Sequence, residues 1–318
     1  MKRSIACLFL LLAAGLAGAQ EPYPSRPVHV IVPYTPGTGA DILARVLGPK
    51  LAERWRAAVV TDNKPGATGN IGAEAAAKSP PDGYALLLTA TSFTTNPALK
   101  PAPFDPVKDF APIALLATGA LGVYINPKVP AKNMREFIAV AKKEPGKLYY
   151  SSPGSGGPQH LAMELLKLET GMDIVHVPYK GAAGAIADLV GGHVQAMVSA
   201  LQTVAPHVQS GRLRMLAVMS AKRAEAFADV PTLKEAGAPD LEVETWYAMF
   251  APAGTSGAIV ARINHDVNEL LQETDVRDVL AKQGLDPAGG TPEVLGNRVK
   301  RELANWTRVV KAAGIKAD

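Results

Sequence analysis

Cysteine is almost missing from this chain: Cys7 is the single one in 318 residues. That excludes a disulfide framework and a cysteine-built zinc site. Aromatic residues are also sparse, at 6%, with three tryptophans. Charge is modest, at 19%, and Lys plus Arg exceed Asp plus Glu only by 33 to 29, with no block of one sign. This leaves no electrostatic footprint for nucleic acid and favours anionic ligands only slightly. No 20–50-residue repeat is present. The long apolar run, Ile5 to Ala14, is too short for a membrane span, which needs about 20 apolar residues. It follows Lys2 and Arg3 and precedes Ala17-Gly-Ala19, the layout of a secretory signal peptide over residues 1–19 cleaved after Ala19. Cys7 lies at the start of the apolar run rather than after it, the wrong place for a lipid anchor, and would leave with the leader.

What is present is a globular composition, 47% hydrophobic, punctuated by 29 glycines and 26 prolines. The length suits two ordinary domains or one large one. Val28–Pro33 reads as a strand. Ala40–Arg54 reads as a helix, with Ile42, Leu43, Val46, Leu47 and Leu51 on one face. A strand at 57–61, a helix at 70–78 and a strand at 84–90 follow. Further strands are expected at 113–118, 121–126, 147–151, 174–178, 194–199 and 213–219, with helices at 134–143, 159–170, 183–191 and 204–209 between them. Such alternation builds a mostly parallel sheet covered by helices. After Thr245–Ala251 the pattern is mostly helical, near 256–273 and 291–313, and those helices need a sheet to pack on. The expected fold is therefore α/β with two domains and two crossings, near Gly119–Val123 and Glu244–Met249. Residues 20–120 with 247–318 form one domain, and 121–246 form the other. Ligands of such folds bind at the carboxyl ends of the strands, between the domains.

Three strand–loop–helix junctions share one composition: Val32 to Asp41, Lys64 to Gly72, and Ser151 to His160. Each places glycine and small hydroxyl residues just before a helix. Glycine lets backbone approach a ligand, and the first turn of a helix offers unpaired N–H groups with partial positive charge. Such loops hold a carboxylate or phosphate without a charged side chain. None matches a phosphate loop or a dinucleotide fingerprint. Ser155 is not a nucleophile elbow, because Pro153 stands where the motif needs glycine, and His160 five residues on is poorly placed as its base. The six histidines, at 29, 160, 176, 193, 207 and 265, show no paired ligand spacing, so no metal is expected, and no cofactor motif is read. Trp246 and Tyr247, at the second crossing, suit either stacking on a ligand or packing a hinge.

The leader, "VPYTPGTGADILAR", "NKPGATGNIGAEAAAKSPPDGYALLL", "SSPGSGGPQHLAMELL", "HVPYKGAAGAIADLVGGHVQAMV", "GRLRMLAV" and "WYAMFAPAGT" together resemble the Bug/TctC family, periplasmic solute receptors of tripartite tricarboxylate transport systems. The resemblance runs in order over nearly the whole chain after the leader. It implies a two-domain Venus-flytrap fold, a periplasmic location, a monomer, and capture of a small carboxylate for membrane components of a transporter or a sensor. Carried over by position, the first loop supplies Tyr34, Thr38 and Gly39, with Asp41 opening the helix. The second supplies Ala67, Thr68, Gly69 and Asn70, and the third strand's end supplies Thr89, Thr91 and Ser92. The facing side supplies Ser152, Ser155, Gly156, His160, Tyr179, Lys180 and Ala182.

Two departures from the family pattern bear on the ligand. Members often carry Gly-Gly where this chain has Thr38-Gly39, and Asp where it has Ser199. Without that carboxylate a ligand ammonium loses its partner, which favours plain dicarboxylates or aromatic carboxylates over amino acids. Two other readings compete: a secreted α/β hydrolase of small esters, which needs an assembled nucleophile and base, and a protein–protein module, which needs no amide-rich loops on one rim.

Overall fold

Short apolar runs ending in glycine-rich turns set the architecture of residues 23–313, the part described by the computed structural model. The expected leader lies outside these residues. The strands are β1 (Val28–Val32), β2 (Val59–Asn63), β3 (Ala85–Ala90), β4 (Phe110–Ile125), β5 (Leu148–Ser152), β6 (Ile174–Pro178), β7 (Ala196–Ala200), β8 (Arg214–Val218), β9 (Glu244–Pro252) and β10 (Leu285–Pro287). The helices are α1 (Gly39–Trp55), α2 (Asn70–Ala77), α3 (Ser92–Leu99), α4 (Met134–Lys143), α5 (Pro158–Thr170), α6 (Ala182–Gly191), α7 (Leu201–Gln209), α8 (Gly257–Leu270), α9 (Thr274–Lys282) and α10 (Pro292–Ala313).

The strands lie in the order β2-β1-β3-β9-β4-β7-β5-β6, with β8 and β10 also on β4. β1 is parallel to β2 and β3, and β5 is parallel to β6 and β7. The antiparallel pairings involve β4 and β9. β4 joins two sheets: Phe110–Ala120 pair with β9, and Leu121–Ile125 pair with β7. The pattern suggested two strands here, broken at Gly119. Gly119 instead marks a close approach, because a side chain there would sit 3.2 Å from Leu285 Cδ2 on the neighbouring β10. Thr245–Ala251 is also a strand, lying between β3 and β4.

Each sheet half is covered on both faces. On the first, α1, α8 and α9 bury Leu43, Leu47, Leu51, Ile263, Val267 and Leu280 on one side. α2, α3 and α10 bury Ala73, Phe93, Leu295 and Val299 on the other. On the second, Phe137 and Leu166 cover one face, and Ile186, Leu189 and Val204 cover the other. Helix α3 carried no periodic signal. Its Thr94 and Asn96 are fully buried, and Pro97 interrupts it. α9 and β10 were likewise hidden, as short amphipathic pieces within a tail read as two helices.

The C-terminal helix is fastened by a polar contact. Trp246, fully buried on β9, donates its indole N–H to Glu302 Oε2 at 2.6 Å, and Arg298 Nε donates to Glu302 Oε1 at 2.8 Å. Removing the acceptor strands a buried donor, which costs roughly 1–3 kcal/mol. Glu302→Ala should therefore lower stability by about that amount in urea unfolding, and Glu302→Gln, which keeps an acceptor oxygen, should lose less.

Candidate ligand-binding cleft

Six strands, β1, β2, β3, β5, β6 and β7, each lead into a helix, and all six junctions reach one cleft. Its volume is about 710 Å³, counting the open mouth. Thr38, Gly39 and Ala40 come from the start of α1, and Ser92 from α3. Pro158 and Gln159 come from α5, Gly181 and Ala182 from α6, and Ala200 and Thr203 from α7.

The helices that face the cleft lack side-chain caps. Gly157, Gly181 and Ala200 precede α5, α6 and α7 and cannot cap through an oxygen. Thr38, before α1, makes no cap and instead donates its hydroxyl to Thr35 O at 3.1 Å. Three helices elsewhere are capped: Asn133 accepts from Glu136 N–H on α4, Ser256 from Ile259 N–H on α8, and Thr291 from Val294 N–H on α10. First-turn amides left without side-chain acceptors at one point create a positive potential without a formal charge. Lys180 is the one charged residue lining the cleft among the described residues, and no acid lines it.

Nine of the residues expected from sequence line this space: Tyr34, Thr38, Gly39, Thr68, Gly69, Ser92, Lys180, Ala182 and Ser199. The rest stand behind it. Tyr34 OH hydrogen-bonds with Ser92 Oγ at 2.7 Å and Thr89 Oγ1 at 2.9 Å, and accepts from Ala90 N–H. Burial raises its pKa, partly offset by these bonds, so the phenol stays neutral. Thr91 Oγ1 accepts from Trp246 N–H at 2.8 Å, joining β3 to β9. Asn70 Oδ1 and Ala67 O both accept from Asn96 Nδ2. Ser152 Oγ hydrogen-bonds with His176 Nε2 at 2.7 Å. His160 Nδ1 accepts from Gly156 N–H, and its ring stacks on His176 at 4.1 Å. Tyr179 OH donates to Asp188; burial first, and then that carboxylate, push its pKa up to about 12. Ser155 is buried beside the cleft rather than in its lining, which gives no support to a serine hydrolase.

Sequence reasoning did not single out Thr35, Gln159, Thr203 or Thr245 as site residues, yet all four line the cleft, as does Tyr247, which it left between ligand stacking and hinge packing. Strand alternation explains the pair on β9: Trp246 enters the core facing α10, and Tyr247 faces the cleft. Tyr247 OH accepts from Gln202 Nε2 at 2.5 Å, and both atoms pack on Gly39, where a side chain would lie 2.5 Å from each. His265, Asp266 and Glu269 come within 4.8 Å of one another on α8, but Arg54 pairs with Glu269 and Asp266, and Trp55 Nε1 donates to Asp266 at 2.6 Å. Among the described residues no helix is long and apolar enough to cross a membrane.

Two sheet halves, joined by shared strands, with helix N-termini from both at one cleft, define a periplasmic-binding-protein fold. The chain belongs to the tripartite tricarboxylate transporter family receptors, TctC, whose model matches residues 43–315. It is 36% identical over 322 residues, 99% of each chain, to protein BugT of Bordetella pertussis. An R. palustris protein solved with adipate is 34% identical and superposes with a TM-score of 0.90, covering 93% of this chain and all of that one. MatC of Rhodopseudomonas palustris, solved with bound malate, is 30% identical with a TM-score of 0.85, over 91% of this chain and all of that one. The family and these neighbours are solute-binding proteins.

The loop before α1 depends on Asp41, which is 2% exposed. It accepts from Gly37 N–H at 2.9 Å, from Arg45 Nε at 3.0 Å and from Asn63 Nδ2 at 3.0 Å. Burial alone would raise its pKa, but the Arg45, Gly37 and Asn63 bonds outweigh it and hold the carboxyl below its usual range. A folded pKa below the unfolded one gives stability that is present above the unfolded value and lost as pH falls through the folded one. Asp41→Asn should cost roughly 1.5–3 kcal/mol at pH 7, the worth of hydrogen bonds to a charged group. In denaturant melts the gap from the unsubstituted protein should narrow as pH falls below the ordinary aspartate range.

Proposed function

We propose that this protein is a periplasmic receptor that captures a small dicarboxylate or aromatic carboxylate between two domains. Residues 20–120 with 247–318 form one domain and 121–246 the other, and the complex is delivered to membrane components of a tripartite transporter or to a sensor. It is a binding protein and not an enzyme. The observation that carries this reading is the set of uncapped helix starts from both halves around a cleft with one cation and no acid. An anion there completes the hydrogen bonding of first-turn amides that otherwise need water. The adipate and malate of the two R. palustris neighbours support the same ligand class here.

An amino-acid ligand is disfavoured by the same inventory. Its ammonium would enter a cleft lined by Ser199, Thr203, Thr245 and Tyr247, neutral groups that can accept hydrogen bonds but supply no counter-charge. Closure would occur at the crossings in β4 and β9, because ligand free energy favours only the state in which both halves touch it.

Thermal shift across adipate, malate, succinate and benzoate, each beside its ester or amide, tests the reading. At least one acid should raise the melting temperature with concentration while its neutral counterpart does not. Small-angle scattering on that acid should show a smaller radius. A panel with no responding acid, or a response shared equally by the esters, would refute the proposal. Ser199→Asp supplies the missing counter-charge and should shift the preference from malate toward aspartate by about tenfold or more, the worth of one charge-assisted hydrogen bond. Calorimetry with both ligands would measure it.

A further inference from the structure

Gly154 and Gly156 of the Ser151–His160 segment turn their open sides toward the opposite half of the molecule. A side chain at Gly154 would meet Thr68 Oγ1 at 2.5 Å, and one at Gly157 would meet Gln159 Oε1 at 3.2 Å and Thr68 Cγ2 at 3.3 Å. One at Gly156 would meet Asn96 Oδ1 at 2.9 Å and Leu99 Cδ2 at 3.0 Å. Thr68, from the short turn after β2, thus occupies a notch that the missing side chains leave on the facing loop. There it donates its hydroxyl to Ser155 O at 3.0 Å.

The turn that presents Thr68 is itself held in an uncommon shape. Ala67 and Thr68 carry φ of 46° and 55°, two successive non-glycine residues in the left-handed region. Such residues persist where surrounding contacts over-determine them. Asn96 supplies those contacts: its Nδ2 donates to Ala67 O at 3.2 Å and to Asn70 Oδ1 at 2.8 Å, and it lies fully buried against Gly156. The strained turn, its brace and the notch form one assembly spanning both halves.

We infer that Thr68 and the Gly154–Gly157 notch form a closure clasp, in which Thr68 is a positioning residue that holds the two halves together by direct protein contact. The clasp populates the closed state before any carboxylate enters, so ligand affinity is set partly by a bond that no ligand atom makes. A fraction closed in advance removes part of the conformational cost of binding. The inference rests on the two-domain closure proposed above. It also gives the glycine-rich loop a purpose distinct from cradling an anion, since Ser155, Gly156 and Gly157 do not line the cleft.

The test measures the distance between the halves with no ligand present. Spin labels go on Lys78→Cys and Lys142→Cys, both exposed, in a protein carrying Cys7→Ser. The unsubstituted loop should show a closed population. Thr68→Val keeps the shape but removes the donor, and should lower the closed-to-open ratio by about two- to tenfold, the range for one hydrogen bond. Gly157→Ala has an ordinary helix-start φ of −75° and adds a methyl that crowds Thr68 Cγ2 across the halves and, within its own half, the flexible end of Gln159, so it should act in the same direction. Thr68→Ser removes that Cγ2 while keeping the hydroxyl, and should abolish the effect of Gly157→Ala. With adipate as probe, dissociation should quicken by the same factors while association is little changed. A ligand-free protein that is wholly open, or distances that ignore Thr68→Val and Gly157→Ala, would overturn the clasp. If adipate and the other acids fail to bind while the distances respond as stated, the carboxylate reading fails and the clasp stands.

Discussion

Helix starts that lack their own caps impose the main constraint on this molecule. Each is a cluster of N–H groups that must find acceptors, and α1, α5, α6 and α7 all begin beside the same space without a side-chain oxygen to close them. The parallel strands exist in service of that arrangement, because only a strand–loop–helix order brings successive helices to the same sheet edge. The sparse charge of the cleft fits as well: the amide dipoles supply the positive potential, and Lys180 sits at an exposed rim. Hydroxyls of Tyr34, Ser92, Ser199 and Thr245 then refine a field that the backbone creates.

The two crossing strands carry the mechanical part. β4 belongs to both sheets, and β9 runs beside it between β3 and β4. β9 divides its neighbours between two tasks by alternation. Trp246 is fixed in the core against Glu302, while Tyr247 reaches the cleft, meets Gln202 from α7 and packs on Gly39 of α1. One short strand thereby links the C-terminal helix, the crossing and both walls of the cleft. The adjacent residues take one face each: Trp246 packs in the core, and Tyr247 faces the cleft.

Glycine-rich junctions looked alike in sequence and act differently in space. At Gly39 the missing side chain admits Tyr247 and Gln202, and at Gly181 it admits Thr35, which a side chain would approach to 2.8 Å. At Gly154, Gly156 and Gly157 it admits Thr68 and Asn96. Composition announces that something must come close to the backbone, and only the partner decides whether that something is a ligand or the opposite half of the protein. Ser152, Ser155 and His160 illustrate the difference. Their residue types suggested anion binding, yet their contacts brace a loop that meets another loop.

The sequence by itself determined the class of fold, the order of most strands and helices, and the junctions that reach the cleft. Those features are written in periods of two and three to four residues and in local glycine signals, which act over a few residues. It did not reveal α3, whose buried threonines and asparagine break the apolar period, or the fusion of two strands into β4 across Gly119. Nor did it separate the nine expected residues that line the cleft from those standing one layer behind. Which side of a loop faces a cavity depends on contacts between residues far apart in the chain, such as Thr68 with Ser155 and Gln202 with Tyr247. Those contacts form only once both sheets have packed, so tertiary structure alone decided them.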